Sequence, residues 1–162
     1  MLRDKNLIPL SHQHQHALAL CVRIDRASPV PAADLDSWQR EIEQHFRGEI
    51  AIHFVAEEQH VFPVARQFDE LNPLVEDLLT DHIWLRDRFA KAGSRGLSAG
   101  ELSELAQRLS AHIRKEERRL FERLQELMTH EDMEKLGRKL DEALKDATIA
   151  CALPAQRPGG SK

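Results

Sequence analysis

Tyrosine is absent from the 162 residues, so no tyrosyl radical can take part in any chemistry this chain supports. Cysteine occurs only at Cys21 and Cys151, far apart and in no Cys-x-x-Cys arrangement. That excludes a zinc ribbon and a redox dithiol, and makes a reduced, cytoplasmic protein the expectation. No run approaches the roughly 20 apolar residues of a membrane span. The opening residues MLRDKNLIPL lack the apolar core of a secretory signal. A surplus of positive charge is missing too. The formal net charge is −4, and Lys and Arg are interleaved with Asp and Glu, so neither nucleic acid nor membrane is an expected partner.

What is present is 41% apolar and 31% charged residues, the balance of a soluble globular protein of one domain. That domain is expected over residues 1–150, with 151–162, including Pro158-Gly159-Gly160, a disordered tail. Apolar residues recur at spacings of three and four, and no segment sustains a period of two, so the fold class is all-α. Four main helices are predicted. The first runs over about Ser11 to Arg26 and the second over about Asp34 to Val61, stopping near Pro63. The third runs over about Pro73 to Ala92. The fourth follows the capping-box pair Ser98 and Glu101 and continues to about Thr129. A fifth, more polar helix is predicted over about Glu131 to Ala147.

Histidine is unusually abundant, at nine residues, and two of the nine sit in a repeat. His53, Phe54, Glu57, Glu58 and Phe62 align with His112, Ile113, Glu116, Glu117 and Phe121 at a constant offset of 59. Each copy follows a helix with its own candidate, His14 or His82. Two helical hairpins related by a pseudo-twofold make an up-down-up-down four-helix bundle, here with an extra C-terminal helix.

On a helix, residues i and i+4 point about 40° apart, so His53 shares a face with Glu57, and His112 with Glu116. Ile42, Phe46 and Ile50 mark the first of those faces as apolar, and Leu102, Leu105 and Leu109 mark the second. One such pair alone reads as a surface i,i+4 pair. Two copies on apolar faces read as carboxylates in the core, where an unpartnered charge is expensive and a metal cation compensates it. Glu58 and Glu117 lie about 140° from their histidines by the same arithmetic and are expected in solvent. Within Ser11-His12-Gln13-His14-Gln15-His16, only His14 shares the stripe of Ala17, Leu18 and Cys21. His12 and His16 lie about 160° away and are expected to be solvated. His82 falls with Leu78, Leu85 and Phe89. His60 lies one turn beyond Glu57, where the other half has Arg119; it reads as an added ligand, a buried bystander or a donor behind a ligand, and the last is the expectation. Cys21 is a core thiol, Glu49 falls near the His53 face without an assigned role, and His45 and His130 are ordinary surface histidines.

The set His14, His53, Glu57, His82, His112 and Glu116 offers four imidazoles, two carboxylates and no thiolate. That suits iron or manganese rather than a closed zinc site. Leu10-Ser11-x-x-His14, His53-Phe54-x-x-Glu57-Glu58-x-x-x-Phe62-Pro63, His82-x-x-Leu85-Arg86 and His112-x-x-x-Glu116-Glu117-x-x-Leu120-Phe121 occur in that order. In these motifs the chain resembles the hemerythrin-like family, also called the HHE cation-binding domain, over roughly residues 7–128. The resemblance implies two iron ions bridged by the carboxylates and an oxo or hydroxo group, with those six residues as ligands. It also implies a small ligand such as dioxygen or peroxide, bound, sensed or turned over. One departure stands out. The oxygen carriers of the family have a second histidine four residues along the third helix, and here Leu78 and Arg86 occupy those positions. Arg86 has no lone pair to offer a metal, but would donate hydrogen bonds to a bound ligand if it turned inward.

Overall fold

The computed structural model describes residues 1–147, and the expected tail over 151–162 lies outside them. Among the described residues all regular structure is helical. Helix α1 spans Ile8–Ala27, with Pro9 in its first turn, where the missing N–H costs nothing. Its buried residues Leu10, His14, Ala17, Cys21 and Ile24 follow the three-and-four spacing. Helix α2 covers residues 32–65, α3 spans Asn72–Gly93, α4 covers 99–127, and α5 spans His130–Ala143. The capping box forms as expected: Ser98 Oγ accepts from the Glu101 N–H, and the Glu101 side chain accepts from the Ser98 N–H.

Helix α2 does not stop at Pro63 but continues to Ala65. A π-type turn at Glu57–Val61 comes just before the proline. Its looser hydrogen-bond pattern relieves the demand for the proline's missing N–H and the crowding around its ring. Two further π-type turns lie at Phe46–Ile50 and Glu116–Phe121. The turns that begin at Glu57 and Glu116 stand at the same 59-residue offset as the sequence repeat. Each wide turn rotates the side chains beyond it out of the ideal helical register, and so the angular expectations for Glu58, Glu117 and His60 fail.

Helix α1 packs against α4, α2 against α3, and α3 against α4, while α5 lies on α2. The core divides into two apolar clusters. One contains Leu7, Leu10, Phe62, Leu78, Phe121 and the α5 residues Met133, Leu136 and Leu140. The other contains Leu20, Ile24, Ile42, Phe54, Phe89, Leu105 and Ile113. At roughly 1.5–3 kcal/mol for each large apolar side chain buried, these clusters carry the fold. Helix α5 approaches the N-terminal segment so closely at Gly137 that a Cβ there would meet Asn6 Cβ at 2.7 Å. No helix among the described residues is long and apolar enough to cross a membrane.

Candidate metal centre

Among the described residues, eight polar or charged ones are buried among the apolar clusters: His14, Gln39, Glu49, His53, Glu57, His82, His112 and Glu116. Six of them are the candidates named above, and they meet in two groups. His14, His53, Glu57 and Glu116 bring one ligand atom each within 4.8 Å of one another, and so do Glu57, His82, His112 and Glu116. The two carboxylates belong to both groups. Glu57 Oε1 lies 3.0 Å from His53 Nε2 and 3.9 Å from His14 Nε2, whereas its Oε2 lies 3.4 Å from His82 Nε2. Glu116 Oε2 lies 3.1 Å from His14 Nε2, and its Oε1 lies 3.2 Å from His112 Nε2 and 3.9 Å from His82 Nε2. Each carboxylate therefore presents one oxygen to each histidine pair.

The histidines are held from behind. The Nδ1 of His14 meets Glu117 Oε1 at 2.6 Å, and that of His53 meets Gln13 Oε1 at 2.7 Å. The Nδ1 of His82 meets Glu58 Oε1 at 2.7 Å, and that of His112 meets Asp81 Oδ2 at 3.2 Å. All four acceptors lack a proton to give, so each Nδ1 is the N–H donor and each Nε2 faces inward. Ser11 Oγ and Arg3 Nη2 donate to Glu117, and Arg86 Nη1 donates to Glu58. Glu58 and Glu117 are thus not solvated as expected. The π-type turns that start at Glu57 and Glu116 turn the following glutamate back toward the neighbouring helix. Arg86 does not turn inward: it reaches Glu58 and lies over Phe54 with 5.5 Å from Cζ to the ring centroid. Leu78 is fully buried in the apolar cluster beside α5. His60 lies on the surface, in a groove with Lys135, Arg138 and Lys139 of α5, and supports no candidate ligand.

A buried polar cluster this dense tests for a cation. His14 Nε2, Glu57 Oε2 and both oxygens of Glu116 have no hydrogen-bond partner. His82 Nε2 faces His112 Nε2 at 3.1 Å, an arrangement of two lone pairs unless one ring is doubly protonated or a cation lies nearby. Orphaned buried acceptors aimed at one another cost several kcal/mol, and a cation bound by nitrogen and oxygen donors removes that cost. The residues fit a metal site.

Without a cation, protons are the alternative compensation. Burial lowers the pKa of His14, but the neighbouring Glu116 and Glu117 carboxylates outweigh it and lift the ring to about 9. His112 is lifted against its burial by Glu116 and Asp81 to about 10. Burial pushes the Glu116 carboxyl up, and His112 and His14 overcome that and hold it well below its ordinary value. Both raised histidines are protonated at neutral pH and must lose that proton to ligate. Cation loading at pH 7 is therefore expected to release protons, and cation affinity to rise with pH as far as about 9 to 10. A pH-stat titration of the stripped protein measures both.

The supporting acceptors were the part missed from sequence. Asp81 and Gln13 stand one residue before His82 and His14, yet Asp81 serves His112 and Gln13 serves His53, across helix interfaces. Only the Glu-Glu doublets, repeated at the offset of 59, carried a readable signal. Glu58→Ala is expected to lower cation affinity by about 10–100-fold while leaving the six inward groups in place. Isothermal titration with Co2+ checks this, and an unchanged affinity would show that the Nδ1 contact is dispensable.

No curated protein and no solved structure matches the chain. The profile of the hemerythrin HHE cation binding domain, however, matches residues 9–124, a span that begins just before His14 and ends just beyond Glu116. Paired His-x-x-x-Glu turns, histidines turned inward by acceptors behind them and orphaned carboxylate oxygens agree with that match, and the chain belongs to the hemerythrin HHE cation-binding domain family.

Proposed function

We propose that this chain is a non-haem di-iron protein that binds dioxygen or a related small ligand. In this reading His14 and His53 would hold one ion and His82 and His112 the other, and Glu57 and Glu116 would each offer an oxygen to both, inside an antiparallel four-helix bundle closed at one end by α5. The observation that carries it is the division of each carboxylate between the two histidine pairs. Iron supplies the capacity to bind and reduce small oxygen- or nitrogen-containing ligands. The chain supplies orientation, through the four Nδ1 contacts, and exclusion of water, through the two apolar clusters.

The scale of the ligand follows from the cavity beside His14, His53, His112 and Glu116. It leaves about 10 Å3 for the centre of a water-sized molecule, room for about one water. Phe54 stacks on His82 with ring centroids 3.9 Å apart and walls the cavity from that side. A second reading, turnover of peroxide, is favoured by Leu78 and Arg86: neither position four residues from His82 offers a nitrogen ligand, so the His82 and His112 pair has fewer protein donors than in the carriers.

Iron analysis with a visible spectrum tests the proposal. Two irons per chain and a charge-transfer band are expected in the wild type; His14→Ala is expected to fall to one iron and lose the band of the pair, whereas His12→Ala keeps both. A colourless wild type without iron overturns it. Steady consumption of peroxide selects the second reading.

A further inference from the structure

Glu49 is a buried carboxylate outside the six inward groups. It is only 5% exposed and lines the same cavity as His14 and His53. The π-type turn at Phe46–Ile50 carries it, and this turn has no counterpart in the other half, where α4 is regular from Ala99 to Lys115. Both its oxygens meet His16 Nδ1, at 3.1 and 3.2 Å, and His16 has a side chain 62% exposed. His45 Nε2 lies 3.8 Å from Glu49 Oε1 and is a buried nitrogen with no hydrogen-bond partner. Two imidazoles and one carboxylate thus run from the surface to the cavity.

The remaining approaches are guarded by positive charge. Of the four acceptors behind the histidines, Glu117 is paired with Arg3, Glu58 with Arg86 and Asp81 with Lys115. A cation arriving on those sides meets a guanidinium or an ammonium. Behind His53 stands the neutral amide of Gln13, next to Glu49 in the cavity lining.

We propose that Glu49, with His16 and His45, is a transit site for divalent cations, through which the buried centre is loaded. It rests on the reading that the centre holds metal. The donor set, nitrogen and oxygen without sulfur, suits Fe2+ and its neighbours in the first transition row. A hydrated ion exchanges waters for His16 and the Glu49 carboxylate at the surface, and is then handed to His14 and His53 across the cavity. Nothing is oxidised and no bond other than metal–ligand bonds is made or broken.

Stopped-flow mixing of the stripped full-length chain with Co2+, read by its visible absorption, separates uptake from equilibrium binding. Glu49→Gln and His16→Ala are expected to slow uptake by about tenfold or more, within the range of electrostatic steering, and to end at the same two ions per chain. His16→Ala, on an exposed side chain, guards against a folding defect. The wild-type rate should fall with added salt, and the Glu49→Gln rate should respond less, which a purely structural role for Glu49 would not produce. Unchanged rates in both variants, with two ions bound, overturn the transit site alone. A wild type that binds no Co2+ overturns the metal reading and the transit site with it.

Discussion

Glu116→Gln is expected to abolish cation binding at both histidine pairs, whereas His14→Ala removes it at only one. Glu116 has Oε2 at 3.1 Å from His14 Nε2 and Oε1 at 3.2 Å from His112 Nε2, so a single side chain serves both groups. An amide keeps the shape but carries no charge, and turns an N–H2 donor toward one histidine pair. His14, by contrast, belongs to one group only. Glu116→Ala should give the same loss of cations, with an added stability cost of about 3–5 kcal/mol for stripping a buried ion cluster of one partner. That is a large share of the roughly 5–15 kcal/mol that holds a domain together, which is why the isosteric variant is the cleaner experiment. The adjacent Glu117→Ala should weaken binding without abolishing it, because Glu117 acts through His14 Nδ1. Titration calorimetry with Co2+ and metal analysis of the purified variants give the comparison. Two ions bound at wild-type affinity in Glu116→Gln would rule out a shared carboxylate.

Loading the stripped protein is expected to raise its melting temperature by about 8–16 °C. Ligand that binds only the folded chain at a thousand times its Kd contributes about 4.1 kcal/mol, and each kcal/mol moves the midpoint of a domain this size by about 2–4 °C. The structural motive is the set of orphaned atoms, His14 Nε2, Glu57 Oε2 and both Glu116 oxygens, which a cation satisfies together. The gap should widen with pH. His14 and His112 have folded pKa values of about 9 and about 10, above the ordinary 6.5. Their protonation stabilises the stripped chain fully below about 6.5, and that contribution is lost as the pH rises through 9 to 10. The loaded chain has already given up those protons. Thermal melts of stripped and loaded protein at pH 6, 7.5 and 9 provide the test. An unchanged midpoint on loading would mean that no cation reaches the interior.

Much of this was legible in the sequence. The all-helical class and the capping box at Ser98 follow from short-range spacing, which one strand of sequence contains in full. Within the first helix, burial of His14 beside the exposed His12 and His16 follows from the ideal 100° step, since α1 is regular throughout. His53, Glu57, His112 and Glu116 face the interior for the same reason, because each pair ends on the first residue of its wide turn.

The same arithmetic failed one residue further on. Glu58, Glu117 and His60 lie within or beyond π-type turns, where the step per residue is smaller and the ideal wheel points them the wrong way. Arg86 does not turn inward because the Glu58 carboxylate of the neighbouring helix captures it. Pro63 looked like a stop and is absorbed by the wide turn before it.

By itself, then, the sequence determined which residue types could bind a cation, on which helices they sit and that the two halves repeat, because these depend on identity and local period. Only the tertiary structure decided which acceptor stands behind each histidine, how each carboxylate divides between two pairs, and where Glu49 opens toward the surface. Those depend on contacts between helices whose rotation is set by packing and by wide turns. Such contacts, between Asp81 and His112 or Gln13 and His53, leave no period in the chain for a reader to find.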